Sequence, residues 1–501
     1  MKRIFSLIIL TLTLYSCSEE FLDKQPEDIL STDAFYNNPD EIKAGLIGCY
    51  EPLQEIYNRQ DDDNRRGMPE YLAIISDDGR DSYWQTNDYL FKKTSSDSHT
   101  NFWVHHYKMI VNANNIMDVI DNFEPKNAAD EATIKAYRGE ASFLRALAYF
   151  NLVRLYGNVP KVVERFANPN DAIGIGRTPV EDIYNTVIIP DLEYAAANCF
   201  IKGDASLAGE EARATKGAAL TILGKVYLTL NNHAKAAETL KKLVVDNEAG
   251  TYSLLPDFSM IHAFENKFND ESIFEVNFNA TAGQPSFLFK WMSNENGYRF
   301  GIASGGGPVV MFNLMHEFVD DKDWLNGQPD WTRYTATLDS GLLPGGRPEI
   351  QGWPSKFTPE KSTLAQYDVT GTDNNYMVTR YADALLMYGE ALAGINQKEE
   401  AVLYFNMVRE RAGLKGLTAN QLDIEQILHE RRLELAFEGH RYFDLVRTGK
   451  AIEYISRALM TVVDYDDQIF TTKPIEPYQL ILPIPVSEIE KDATLTQNPG
   501  Y

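Results

Sequence analysis

The sequence predicts a mainly α fold, a helical-repeat (α-solenoid) scaffold joined to an irregular, loop-rich lobe that contains a few short strands. Three observations predict it. Long stretches place apolar residues at three-and-four spacing, one helix-pair pattern occurs twice, and residues 250–378 abandon that periodicity for turn residues and clustered tryptophans. The chain has 501 residues, 44% hydrophobic and 24% charged, which is ordinary globular composition. That length exceeds what one core usually serves, so two lobes or one extended layered body are expected.

The first element is a leader over residues 1–16. Lys2 and Arg3 precede a run from Ile4 to Leu14 without a charged residue, and Leu14-Tyr15-Ser16-Cys17 follows. A charged start, a short apolar core and a small residue before the cut describe a secretory signal. The run is too short to span a bilayer, which needs about 20 helical residues. Cys17 stands where an ordinary signal carries a small residue, and the segment resembles a bacterial lipoprotein signal, which implies lipidation of Cys17. Several acyl chains anchor stably where one is marginal. Residues 17–40 are acidic and rich in turn formers (Ser18-Glu19-Glu20, Pro26, Asn37-Asn38-Pro39-Asp40) and form a solvated tether. Acidic residues directly after the cysteine resemble the surface-export signal of Bacteroidetes lipoproteins.

Residues 41–249 form the N-terminal helical region. Asn101 to Phe123, Ile134 to Tyr156 and Glu181 to Asn198 carry helical periodicity. Thr178-Pro179-Val180-Glu181 predicts a capping box with proline at the first helical position, and Thr418-Ala419-Asn420-Gln421 predicts the same before a helix ending near Phe437. Leu220-x2-Leu223-Gly224-x2-Tyr227, continued by Ala236 and Leu240, matches the tetratricopeptide pattern with leucine for tryptophan. Gly389, Ala401 and Phe405 recur at the same offsets. Small residues let the paired helices approach while Tyr and Leu fill the groove between them. Stacking wants three or more units, and Ile134–Tyr156 is a candidate for another.

Residues 250–378 form the irregular lobe. Gly305-Gly306-Gly307-Pro308, Asn326-Gly327, Pro344-Gly345-Gly346 and Gly352-Trp353-Pro354 punctuate it, and Ser272 to Phe278 reads as a strand fragment. Four of the six tryptophans lie here. Irregular segments on a rigid scaffold are where binding usually resides.

Residues 379–501 form the C-terminal helical region. Ile427 to Gly449 reads ILHERRLELAFEGHRYFDLVRTG. Its apolar face is Leu428, Leu433, Leu435, Ala436 and Phe437, ringed by Glu430, Arg431, Arg432, Glu434 and Glu438, with Gly439 ending the helix. On chemistry alone this is a buried structural charge network rather than a catalytic cluster. The stretch resembles the hallmark of the SusD/RagB family of outer-membrane glycan-binding lipoproteins of Bacteroidetes. Leu482-Pro483-Ile484-Pro485, Glu488 and Gln497-Asn498-Pro499-Gly500-Tyr501 resemble that family's C-terminus. Glu140-x2-Phe143-Leu144-Arg145-Ala146-x-Ala148-Tyr149, Tyr156-Gly157-x-Val159-Pro160, Arg380-Tyr381-Ala382-Asp383 and Val408-Arg409-x-Arg411-Ala412-Gly413 match in the family's order. The resemblance implies a tetratricopeptide-like scaffold, a non-catalytic role, and attachment to the outer membrane facing the cell exterior. It also implies a partner, a SusC-like TonB-dependent β-barrel transporter that the lipoprotein closes like a lid. No cofactor is implied.

Sugars present apolar C–H faces and rings of hydroxyls, so binding without chemistry needs exposed aromatic platforms flanked by amides, carboxylates or Arg. The polar stretch Asp77 to Asp88 carries Tyr83, Trp84 and Asn87, the first candidate, in a loop position that in this family often holds sugar-stacking residues. Trp291, Tyr298 and Arg299 are the second, and Trp324 and Trp331, in an Asp-rich loop, the third. Trp103 and Trp353 are assigned to packing. Cys49 and Cys199 have no spacing that demands pairing, and Cys49 sits in an apolar helical run as a buried thiol.

Composition and motifs exclude other classes. The formal charge is −25, and losing residues 1–16 leaves 45 basic against 72 acidic residues, or −27. Such a body is repelled by nucleic-acid phosphates. A secreted glycoside hydrolase needs two carboxylates about 5–9.5 Å apart, and no local motif proposes a pair. There is no Gly-x-Ser-x-Gly elbow, no His-Glu-x-x-His and no phosphate-binding Gly-rich loop. Asp321 to Gly327 resembles a calcium loop out of register, with Thr332 where glutamate belongs. A tetratricopeptide-type adaptor that binds protein through its concave helical face is the other alternative.

Overall fold

The computed structural model describes residues 36–58, 66–81, 97–166, 168–288, 308–319, 329–339, 342–343, 347–348, 352–358, 371–459, 462–463, 469–470 and 474–501. Cys17 and its leader lie outside them. Helix α1 (Pro39–Ile47) starts where the Asn38 side chain accepts the Glu41 N–H at 3.1 Å, ahead of a proline whose missing N–H costs nothing there. Helices α2 (Glu51–Tyr57) and α3 (Met68–Ile74) follow, then strand β1 (Gly79–Asp81). The long helices α4 (Asp97–Asp121) and α5 (Ala128–Tyr156) pack on each other, α5 capped by the Asn127 side chain. Helix α6 (Ile189–Asn198) packs on α5 and continues from one turn at Val180–Ile183 through a π-turn at Tyr184–Ile188.

The capping box expected at Thr178 is absent. Pro179 is itself the cap residue and makes no side-chain cap, and the free donor of Val180 goes instead to Asn158 Oδ1 at 3.1 Å. The Thr418–Gln421 box forms, but around a 3₁₀ turn; the helix behind it is capped by Asp423, whose carboxylate accepts the Gln426 N–H at 2.9 Å. That helix stops at Glu434, earlier than predicted. The turn that follows needs left-handed backbone at Phe437 (φ 64°) and Gly439 (φ 76°).

The repeat is real in three dimensions. Helices α7 (Lys216–Thr229) and α8 (His233–Val244) form one pair, α11 (Tyr381–Gly394) and α12 (Lys398–Arg411) another, and α8 packs directly on α11. With α6 on α7 and α5 on α6, the stack runs unbroken through three pairs. A Cβ built on Gly224 would lie 2.5 Å from Leu240, and one on Gly389 2.6 Å from the Phe405 ring. Each glycine is therefore the contact point of its pair, at the same spacing in both. The solenoid joins the irregular lobe through strand β2 (Ser272–Val276), antiparallel to the strand Tyr376–Arg380 that leads straight into α11. Both strands are buried along their whole length, so the alternation in the sequence does not mark a wet face. Glu275 is satisfied inside by the Asn375 amide at 2.8 Å and the Phe268 N–H at 3.0 Å. Other described strands are two or three residues long and pair two by two.

Cys49 and Cys199 are buried free thiols. Trp103 and Trp353 are buried, as assigned. The C-terminal motif closes the fold. Asn498 donates to the carbonyls of Tyr156 (2.9 Å) and Leu482 (2.7 Å), and the Leu482 N–H donates to Leu155 O at 2.6 Å. Arg177 bridges the carbonyls of Asn158 (2.7 Å) and Thr496 (2.8 Å). Two motifs more than 300 positions apart thus form one latch.

Candidate functional site

Helix α13 (Ile424–Glu434) carries the charged half of the hallmark segment and is buried from Gln426 to its end. Glu430 accepts from Arg333 (2.7 Å) and Arg409 (2.6 Å). Glu434 accepts from Arg380 (2.6 Å), Arg333 (3.3 Å) and Arg411. Glu438, just past the helix, accepts from Arg380 (2.7 Å) and Lys356 (2.7 Å). Burying a charge is costly unless it is paired and hydrogen-bonded, and these meet that condition. Burial alone would raise the Glu434 carboxyl; the guanidiniums of Arg411, Arg380 and Arg333 outweigh it and hold the group down at about 2. The network is structural, as its chemistry predicted.

Its position gives it a second consequence. Arg432 donates to Asp78 Oδ1 (2.8 Å) and the Asp77 carbonyl (2.5 Å) and pairs with Glu317, while Arg441 grips both oxygens of Asp77 at 2.8 Å. Asp77 and Asp78 are buried, and Gly79–Asp81 is a strand. The expectation that a polar loop begins at Asp77 is therefore corrected: Asp77 and Asp78 are buried, and their counter-charges come from the far end of the chain. Burial pushes Asp78 up to about 6 even though Arg432 pulls the other way. Burial would raise Asp77 as well, but Arg432 and Arg441 hold it below its ordinary value.

Strand β1 pairs with β3 (Pro308–Val310) so that Asp81 faces Pro308. The segment after Asp81 and the segment before Pro308 therefore attach side by side. The chain continues from β3 into α9 (Phe312–Val319), which carries Glu317, and later into α10 (Trp331–Thr337), whose cap Asp330 accepts the Arg333 N–H (3.1 Å). The Asp330 N–H returns to Phe318 O at 2.8 Å, so the ends of the third candidate segment also meet. An attachment point of each candidate segment thus lies against the hallmark, through Arg432 and the Arg333–Glu430–Glu434 group at α13 and through Arg441 beyond it.

Tyr83, Trp84, Asn87, Trp291, Tyr298, Arg299 and Trp324 lie outside the described residues, as does the calcium-like segment 321–327. Trp331 lies within them. It is the first residue of α10 rather than part of a loop, and it is 56% exposed. Its ring meets Tyr334 edge to face at 5.5 Å, and Tyr334 in turn meets buried Phe318 at 6.0 Å. Among the described residues it is the one exposed tryptophan. Sequence reasoning missed Asp77, Asp78, Glu317 and Asp330 as the supports of these segments. The hallmark itself is balanced, with four arginines against four carboxylates, so its composition gave no signal of these distant partners. Among the described residues no group of three or more His, Cys, Asp or Glu side chains is placed to hold a metal, and no helix is long and apolar enough to cross a membrane.

Comparison with known proteins fits this geometry. Residues 326–501 match the family model described as SusD family, and residues 20–228 match one described as starch-binding associating with outer membrane. The chain is similar to a SusD-like protein of Formosa agariphila, at 27% identity over the full length of both. It is similar to the starch-binding protein SusD of Bacteroides thetaiotaomicron, at 23% identity over 75% of each. The solved structure of a laminarin-binding SusD-like protein superposes with a TM-score of 0.74 at 26% identity, covering 93% of this chain and 100% of that one. Two family models that take in both ends of the chain, relatives aligned along its whole length and the stacked helical pairs agree: the chain belongs to the SusD/RagB family.

Proposed function

We propose that this chain is a non-catalytic, lipid-anchored glycan-binding protein of the outer membrane, facing the cell exterior, that captures oligosaccharide and passes it to a SusC-like TonB-dependent transporter. The observation that carries the reading is Trp331. An apolar ring left 56% in water, at the head of a helix fixed from beneath by buried ion pairs, costs solvation and contributes nothing to the core. A sugar face stacked on it would recover that cost, and the rigid base spares the ordering entropy of a flexible platform. Tyr83, Trp84, Asn87, Trp291, Tyr298, Arg299 and Trp324, on segments rooted at the same base, would supply further stacking and hydroxyl contacts. The similarity to a starch-binding protein and to a laminarin-binding one supports a neutral glucan-type ligand.

The network carboxylates support binding without cleavage. Asp78, at about 6, has the value a general acid wants, but it is buried and engaged by Arg432. The transporter reading draws on the helical face. A groove of about 410 Å³ between α6, α7 and α8 has an apolar floor of Leu220, Leu223 and Tyr227 and charged lips that include Lys235 and Glu238, a surface suited to a protein segment rather than to a sugar.

The test is a glycan array followed by calorimetric titration on the best ligand, with reducing ends assayed in parallel. Binding without release of reducing ends is expected, and turnover would favour the hydrolase. Trp331→Ala should weaken affinity by about 3- to 10-fold, the worth of an aromatic contact, with melting nearly unchanged because the ring is exposed. Equal affinity would remove Trp331 from the site. Cys17→Ala should free the protein from membranes while leaving glycan affinity intact; retention in the membrane would overturn the anchor.

A further inference from the structure

Beneath the hallmark segment, where α5, α7, α13 and α14 (Arg441–Arg447) meet, lies a cavity of about 40 Å³. Its walls include Arg154, Lys225, Arg431, His440 and Arg447. Three carboxylates serve three of these cations. Asp383 takes Lys225 (2.7 Å) and Arg431 (2.9 Å), Asp444 takes Arg431 (2.8 Å) and Arg447 (2.8 Å), and Glu390 takes Arg447 (2.8 Å). Arg154 has no carboxylate partner among the described residues. Its guanidinium lies between the rings of Phe150 and Phe443, 3.7 and 3.8 Å from their centroids, and donates only to neutral oxygens, Phe150 O (3.1 Å) and Asn151 Oδ1 (2.6 Å). The other wall carboxylate, Glu438, is taken up by Arg380 and Lys356, so one positive charge is left over among the described residues. Burial drags the Arg154 guanidinium down to about 10, as a poorly compensated buried cation requires.

Two further donors on the same walls have no acceptor. Arg431 Nη1 is buried without a hydrogen bond. His440 takes a hydrogen bond on Nδ1 from the Lys225 ammonium, which can only donate, so its proton sits on Nε2, and that atom makes no hydrogen bond, Asp383 Oδ2 lying 3.9 Å away. Orphaned buried donors beside an unneutralised cation are the reverse of what a water-only cavity needs, because water brings no negative charge.

We propose that this cavity binds one small monovalent anion, of which chloride is the physiological example, held by Arg154, Arg431 and His440. The volume decides the class. It admits a few water-sized particles and falls far short of the roughly 300 Å³ at which organic ligand pockets begin, so neither a sugar nor a sugar acid fits. The anion would complete the charge balance between α5 of the solenoid and the hallmark segment.

The test is thermal melting of the full chain at constant ionic strength in sodium chloride against sodium gluconate, whose anion is too large to enter. Melting should rise in chloride by about 1 °C for each tenfold concentration above the dissociation constant, and stay flat in gluconate. Arg154→Gln should abolish the difference. Because that variant risks misfolding, crystals of the unaltered protein soaked in bromide give an independent reading: an anomalous peak is expected between Arg154, Arg431 and His440. Identical melting in the two salts, a chloride effect undiminished in Arg154→Gln, or a cavity holding only water in the bromide map would each overturn the proposal.

Discussion

Arg432→Met removes one guanidinium and keeps an unbranched side chain of comparable girth. In the native fold that guanidinium serves Asp78, the Asp77 carbonyl and Glu317. Arg441 would still hold Asp77, and His429 would still reach Glu317 at 2.7 Å, so Asp78 is the group left without its cation. Removing one partner of a buried ion pair costs about 3–5 kcal/mol. Unfolding a chain of this length releases entropy of about 1 kcal/mol per degree, so melting should fall by about 3–5 °C at pH 8. The deficit should depend on pH in a defined direction. Asp78 titrates at about 6 in the fold, above its unfolded value near 3.8, so its contribution is full below the unfolded value and is lost as pH rises through about 6. Without Arg432 the folded value climbs further, and at pH 5 the carboxyl is protonated and needs no counter-ion. Differential scanning calorimetry of both proteins at pH 5 and pH 8 should therefore show the smaller deficit at pH 5. Unchanged melting at pH 8, or a deficit that widens toward pH 5, would refute the view that Arg432 neutralises this root.

Two further outcomes are expected alongside those for Trp331 and Cys17. Asn498→Ala strips the donor from the carbonyls of Tyr156 and Leu482. The Tyr156 carbonyl keeps Arg177 Nη2 at 3.4 Å, but the stranded Leu482 carbonyl costs about 1–3 kcal/mol, so urea unfolding should show a lower midpoint at unchanged slope; an unmoved midpoint would mean the latch is dispensable. Burial pushes the Cys49 thiol up to about 12 and the Cys199 thiol well above its ordinary value. In a Cys17→Ala background a thiol reagent at pH 8 should find no reactive group in the native protein and two after denaturation. Silence after denaturation would reveal a disulfide.

Particular residues show how far the sequence could be read. Gly224 and Gly389 stand at matching offsets from Leu240 and Phe405, so the helix pairs were legible: pairing within about thirty residues leaves its trace in local spacing. Trp103 and Trp353 were assigned to the core from their neighbours and are buried there. Pro179 was misread because Asn158, on another turn, supplies the oxygen that the expected box would have offered. Asp77 and Asp78 look like solvated loop by every local rule. Only their pairing with Arg432 and Arg441, more than 350 positions away, buries them.

The amino-acid pattern by itself determined the class of fold, the helix pairs and their spacing, and the family, because periodicity and motif are local properties of a chain. It also marked the hallmark charges as a structural network, and they are buried. The tertiary structure alone decided what those charges hold. Electrostatic pairing ignores sequence distance, so the meeting of three segment roots at the hallmark, the latch of Asn498 on Tyr156 and the want of a carboxylate for Arg154 among the described residues appear only once the chain is closed on itself.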